Sequence, residues 1–152
     1  MTELRQYCTF WLDRLLFGID VQKVQEVLLY QEMTRVPLAP PIVRGLVNLR
    51  GQIVTALDLR QRIGLKSRSI DQKPMNVVIR TPDGAVSLLV DDIGDVIEVD
   101  ISTLESPPEM MDGVSRELVD GVVKLKGKLL LILNTERAIH IPHDFADSVG
   151  LN

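Results

Sequence analysis

Aromatic residues make up only 4% of this 152-residue chain, so its core must be built from Val, Leu and Ile, a bias that favours strands. Cysteine occurs once, at Cys8. That excludes an intrachain disulfide, fits a reducing compartment, and leaves the thiol as a small packed apolar group. The two histidines, His140 and His143, flank Pro142 with no cysteine beside them, which is too sparse a donor set for a metal. Long apolar runs are missing too. The longest, Leu129 to Leu133, falls far short of the roughly 20 residues that span a bilayer. No basic n-region and apolar h-region open the chain, so no secretory signal is expected. The formal charge is −4, which argues against nucleic acid as a partner, since phosphate neutralisation needs clustered Lys and Arg. Phosphate-cradling, dinucleotide-binding and zinc-hydrolase motifs are absent, as are the contexts of a nucleophilic Ser or Cys. The densest carboxylate group, Asp91, Asp92, Asp95 and Glu98, reads as a turn at a barrel rim. The expectation is a cytoplasmic, monomeric, non-enzymatic binding module that takes no cofactor and no metal.

What the chain does have is a repeat. Residues 45–60, GLVNLRGQIVTALDLR, align without a gap on residues 121–136, GVVKLKGKLLLILNTE. They share Gly45/Gly121, Val47/Val123, Leu49/Leu125, Gly51/Gly127 and Leu57/Leu133, while Arg50 faces Lys126 and Asp58 faces Asn134. The offset is 76 residues, half of the chain, so one structural unit is used twice. Upstream, Ile19-Asp20 followed by Val24-Gln25-Glu26-Val27 is echoed by Val90-Asp91 followed by Ile93-Gly94-Asp95-Val96.

Residues 7–12 and 15–21 read as a hairpin turning at Asp13-Arg14. Val21, Val24, Val27 and Leu28 recur at helical spacing and predict one or two turns of helix. Thr34 to Val36 suits a short strand before Pro37, Pro40 and Pro41 force an extended crossing. In the first repeat Val47 and Leu49 share one face, Arg50-Gly51 makes the turn, and Ile53, Thr55 and Leu57 carry the return strand. A brief helix over 59–65 ends at Gly64, and residues 66–73 read as the linker between halves. A hairpin turning at Pro82-Asp83-Gly84, a loop over 106–117, a hairpin turning at Lys126-Gly127 and a short helix over 136–141 follow. The sum is an all-β fold of about ten short strands in two sets of five, arranged as two small barrels side by side. The expected subdomains are 15–66 and 74–138, with the strand 6–12 and the C-terminal segment 136–146 packing across. Small barrels are filled, so a site must lie on a surface or in the seam between them.

Three ordered blocks then carry a family likeness: FGIDVQKVQEV (17–27), RVPLAPPIVRGLVNLRGQIVTALDLR (35–60) and LVDDIGDV (89–96). Over about Cys8 to Ala138 the chain resembles the CheW-type chemotaxis coupling proteins. The resemblance implies two five-stranded, SH3-like barrels. It also implies an adaptor that ties chemoreceptors (methyl-accepting chemotaxis proteins) to the chemotaxis histidine kinase, in cytoplasm beside membrane-associated receptor arrays. In this family the receptor groove lies in the seam, and Val24, Glu26, Val27, Gly45, Arg50, Val77 and Val96 occupy the matching positions. The stretch Leu46 to Val54, here Leu46, Leu49, Ile53 and Val54, matches the region that meets the kinase's own CheW-like regulatory domain. An apolar groove accepts a helical receptor tip through anchors at i, i+3 and i+4.

Read without the family, the four valines fit ordinary core, and Arg50 fits a solvated turn charge paired with Asp58 or Asp20. A scaffold of the same fold serving another chemosensory pathway, such as surface motility or second-messenger output, is the alternative function. Two departures stand out. The family often has proline where Thr55 or Ala56 stands, and Leu28-Leu29 is apolar for a solvent face.

Overall fold

The fold opens with a hairpin. In the computed structural model, which describes residues 3–108 and 116–141, β1 (Leu4–Leu12) turns at Asp13-Arg14 into β2 (Leu15–Asp20). Asp20 caps a single 3-10 turn, Val21–Lys23, and the chain then straightens into β3 (Val24–Leu28). The helical spacing of Val21, Val24 and Val27 therefore yields one turn only. β-branched residues favour the extended form, and pairing with a later strand decides the rest. The first repeat hairpin is β4 (Val43–Leu49) and β5 (Gln52–Asp58). Next come α1 (Leu59–Ile63), β6 (Met75–Thr81), β7 (Gly84–Val90) and β8 (Asp92–Asp100). The second repeat hairpin is β9 (Val119–Leu125) and β10 (Lys128–Leu133), followed by α2 (Thr135–Ala138). Asp58 and Asn134, aligned in the repeat, do the same work: each side chain accepts a first-turn backbone N–H and caps its short helix. Parts of the loop expected over 106–117 and of the segment 136–146, His143 included, lie outside the described residues.

The strands form two five-stranded sheets, β3-β6-β7-β5-β4 and β8-β1-β2-β10-β9. The first is contiguous in the chain; the second takes the N-terminal hairpin and everything after Asp91. Boundaries at 15–66 and 74–138 therefore do not coincide with either sheet. Instead β2 pairs in parallel with β10 and β7 in parallel with β5, so each half of the chain lends its first hairpin to the other half's barrel. The chain changes sheets at Asp20 and again at Asp91, and the echo between 19–27 and 90–96 is this pair of crossovers.

Each barrel closes in the same way. Thr34, on the chain leaving β3, exchanges two backbone hydrogen bonds of 2.8 Å with Leu46 of β4; Glu105, on the chain leaving β8, exchanges two of 2.9 Å with Val122 of β9. The strand expected over 34–36 is this single bridge. Both closures cross a repeat glycine. A Cβ at Gly45 would stand 2.7 Å from the Thr34 carbonyl oxygen, and one at Gly121 3.2 Å from that of Glu105, so the close approach requires glycine in the first copy and favours it in the second.

Burial follows from this layering. Val47, Leu49, Val54, Ala56, Val78 and Leu89 fill the first barrel; Tyr7, Leu16, Val99, Val123, Leu130 and Ile132 fill the second. A larger cluster, with the stacked rings of Phe10 and Phe17 at its heart, is shared between the sheets. Along β10, Leu130 and Ile132 point into the barrel while Leu131 and Leu133 point into the shared cluster. Strands buried on both faces read as unbroken apolar runs, which explains Leu130 to Leu133.

Candidate binding surface

β3 and β8 are edge strands, each paired on one side only, and the crossovers make them equivalents. Val24 pairs with Ile79 and Val27 with Val77; Ile79 and Val77 belong to the shared cluster, so Val24 and Val27 share the seam side of their sheet. On β8, Ile93 pairs with Phe10 and packs on the same cluster, and Val96 pairs with Cys8 across a bulge. The seam is packed with side chains, and the accessible apolar surface is at its margin. Val27 is 38% exposed and Val96 57%, at corresponding positions of the two barrels. Val24 is half-buried. Val77 is 1% exposed, a floor residue in the shared core whose side chain cannot reach a partner.

Cys8, half-buried beside this margin, has its thiol pushed up from the usual value, first by burial and then by the nearby Asp20 charge. It stays protonated at neutral pH and is a packing group, not a nucleophile.

Glu26 and Arg50 form an ion pair and hydrogen bond across the rim of the first barrel, whereas Asp20 caps its own turn and Asp58 is engaged elsewhere. The turn that presents Arg50 is specific. Leu49 pairs with Gln52, and Arg50 and Gly51 both have positive φ, at 52° and 87°, as a type I′ hairpin requires. Asn48 Oδ1 accepts the Gly51 N–H at 2.8 Å. In the second copy Gly127 has φ 77° but Lys126 is not in the left-handed region. Holding an arginine there costs roughly 1 kcal/mol, a strain the second hairpin avoids. Gly45 presents no side chain; its part is the close approach to Thr34.

The Arg50 hydrogen bond, with a smaller contribution from Gln25, holds the Glu26 carboxyl below the usual carboxylate range against the opposing effect of burial. A folded value below the unfolded one means the pair stabilises above about pH 4.3 and the contribution is lost as pH falls through the folded value. Glu26→Gln should therefore remove that acid-side component and leave the shape of the profile between pH 5 and 8 unchanged. Urea melts of both proteins across pH 3 to 8 check this; coincident acid limbs would contradict the pairing.

Among the residues matched to a kinase face, Leu49 and Val54 lie in the first-barrel core and Leu46 is half-buried, but Ile53 is 58% exposed beside the Arg50 turn. Its repeat partner Leu129 is also exposed.

One constellation was not foreseen. Asp91 is largely withdrawn from solvent, unlike Asp92, Asp95 and Glu98. It ties the β7–β8 crossover to Arg60 of α1, to Arg68 in the 66–73 linker and to the Asp13 backbone. Arg68 also donates to Asp58 at 3.0 Å and to the Leu89 carbonyl at 3.1 Å, and Arg60 Nε donates to the Lys66 carbonyl at 2.7 Å. The linker is thus pinned by charge. The only local signal was Asp58 standing one residue before a helix with arginine two residues on.

These features define a double-barrel scaffold whose accessible chemistry sits on edge strands and hairpin tips. The CheW-like domain matches residues 6–142, and the chain belongs to that family. It is 29% identical to the chemotaxis protein CheW of Treponema pallidum over 136 residues, covering 87% of this chain and 80% of that one. It is 32% identical to that of Bacillus subtilis over 123 residues, covering 81% and 79%. Its backbone matches the crystal structure of the scaffolding protein TtCheW from Thermoanaerobacter tengcongensis with a TM-score of 0.82 at 26% identity, covering 93% and 91%.

Proposed function

We propose that this chain is a non-enzymatic adaptor that couples the cytoplasmic tips of chemoreceptors to the chemotaxis histidine kinase and supports kinase regulation in signalling arrays. The observation that carries the reading is the pair of exposed valines, Val27 and Val96, at equivalent positions on two edge strands beside the packed seam. Two apolar anchors flanked by the Glu26–Arg50 pair suit an amphipathic helical hairpin, whose apolar stripe meets the valines while its polar rim meets the charges. Val24 extends that surface, and Val77 supports it from beneath. Ile53 and the accessible part of Leu46, on the other side of the Arg50 turn, form the face for the kinase's CheW-like regulatory domain. The protein works in the cytoplasm, monomeric until recruited to arrays, and takes no cofactor.

Co-sedimentation with membrane-anchored receptor fragments and the kinase tests the coupling directly. The wild-type protein should bring down both partners, and Arg50→Asp should retain its melting temperature while abolishing receptor control of kinase activity. Retained control at unchanged melting would remove Arg50 from the surface. Recovery of a single non-receptor partner would instead point to another chemosensory pathway.

A further inference from the structure

The proline-rich crossing between β3 and β4 carries an anomaly that the surface above does not use. Val36, Pro37, Leu38 and Ala39 form a turn closed by the Ala39 N–H on the Val36 carbonyl at 3.3 Å. Leu38 has φ 61°. With proline in second place this is a type II turn, whose third residue is ordinarily glycine or asparagine because φ must be positive there. A leucine gains nothing locally from that strain, and its side chain packs on nothing: Leu38 is 102% exposed. Pro37, Pro40 and Pro41 limit the freedom of the backbone that holds it.

Beside this knob lies an open cleft of about 890 Å³, lined among others by Tyr30, Met33, Val36, Arg35 and Arg44. Among the described residues no carboxylate lines it. Arg35 is exposed and makes no ion pair among the described residues, while Arg44 approaches only Asp58, at 3.8 Å. An apolar projection held in place before binding, beside an open cleft whose rim carries two guanidinium groups, has the form of a hot spot: little ordering entropy remains to be lost on docking.

We propose that Leu38 is a preorganised anchor that enters an apolar socket on the kinase's regulatory domain, with Arg35 and Arg44 meeting a carboxylate rim around that socket. Val43 and Arg44 belong to β4, the strand that carries Leu46, so the cleft continues the face assigned to the kinase. The inference rests on that assignment and adds the anchor and the sign of the partner's charge.

Titration calorimetry with the purified regulatory domain, using the whole 152-residue chain, tests it. Leu38→Asn relieves the strained φ and should raise the melting temperature by roughly 2–4 °C, yet weaken binding about tenfold. Co-sedimentation with receptor fragments should be unchanged. Arg35→Glu should weaken binding several-fold and flatten its dependence on salt. Wild-type affinity in Leu38→Asn would overturn the inference while leaving the kinase assignment intact, and so would a lowered melting temperature, which would make Leu38 a packing residue. If the wild-type chain binds receptor fragments but gives no heat with the regulatory domain, the kinase assignment itself fails and the anchor falls with it.

Discussion

Asp91→Ala is expected to destabilise the fold by about 3–5 kcal/mol, a drop in melting temperature on the order of 10 °C for a chain of this size. The Asp91 carboxylate accepts from Arg60 Nη1 at 2.6 Å, from the Asp13 backbone N–H at 2.7 Å and from Arg68 Nε at 2.8 Å. Both guanidiniums are deeply withdrawn from water, with side chains 9% and 7% exposed. Without Asp91, Arg68 keeps Asp58, which Arg44 also approaches, while Arg60 is left with the exposed Asp13 carboxylate at 3.8 Å. A poorly hydrated Arg60 without a close carboxylate explains why truncating a partner costs more than the intact pair contributes. Urea denaturation at neutral pH should show the midpoint falling with little change in slope. Adding Arg60→Met to Asp91→Ala should recover part of the loss, because it removes the cation whose close carboxylate has gone. A single-mutant loss under about 1 kcal/mol would mean that the network behaves as a surface ion pair.

The network's position gives the result a functional edge. It joins the β1–β2 turn, α1, the linker and the crossover at Asp91, and these belong to both barrels. Loosening it should let the sheets shift against one another, and with them Val27 and Val96, without altering a residue at either strand.

None of this could be read along the chain, and the reason is distance. Arg68 stands in a polar, aperiodic stretch and Asp91 in a run of acids; their contact spans 23 residues and that of Arg60 with Asp91 spans 31. No periodicity encodes such pairs. What was legible was local or repeated: the equivalence of Gly45 with Gly121 and of Asp58 with Asn134, the Arg50-Gly51 turn, and the sum of two five-stranded sheets. Exposure of the valines was not legible either. Val27 and Val77 are partners across one ladder, both β-branched and both in strands, yet one is at the sheet edge and the other inside it. Only the strand order separates them. The same order explains why the linker does not divide the sheets, since hairpins lent across it satisfy the sequence pattern as well as hairpins kept beside it.

Gly45→Ala should destabilise the protein by roughly 1–3 kcal/mol, and Gly121→Ala by clearly less. The added methyl at Gly45 would lie 2.7 Å from the Thr34 carbonyl oxygen and 3.0 Å from Met33 Cβ. The nearest obstacle is backbone and cannot rotate away, so the segment around Thr34 must lift off β4. That lift breaks two backbone hydrogen bonds with Leu46 and opens the first barrel at the rim where Glu26 meets Arg50. At Gly121 the nearest atom is 3.2 Å away, a gap that a shift of a few tenths of an ångström relieves. Amide hydrogen exchange checks the difference directly. In Gly45→Ala the Thr34 and Leu46 amides should lose protection while Glu105 and Val122 keep theirs, with the reverse pattern, more weakly, in Gly121→Ala. Under the proposed function, receptor control of the kinase should fall in the first variant and persist in the second, because the first barrel carries the Glu26–Arg50 rim. Equal loss of protection in both variants, or undisturbed Thr34 and Leu46 amides in Gly45→Ala, would show that the two closures are not held by the glycines beneath them.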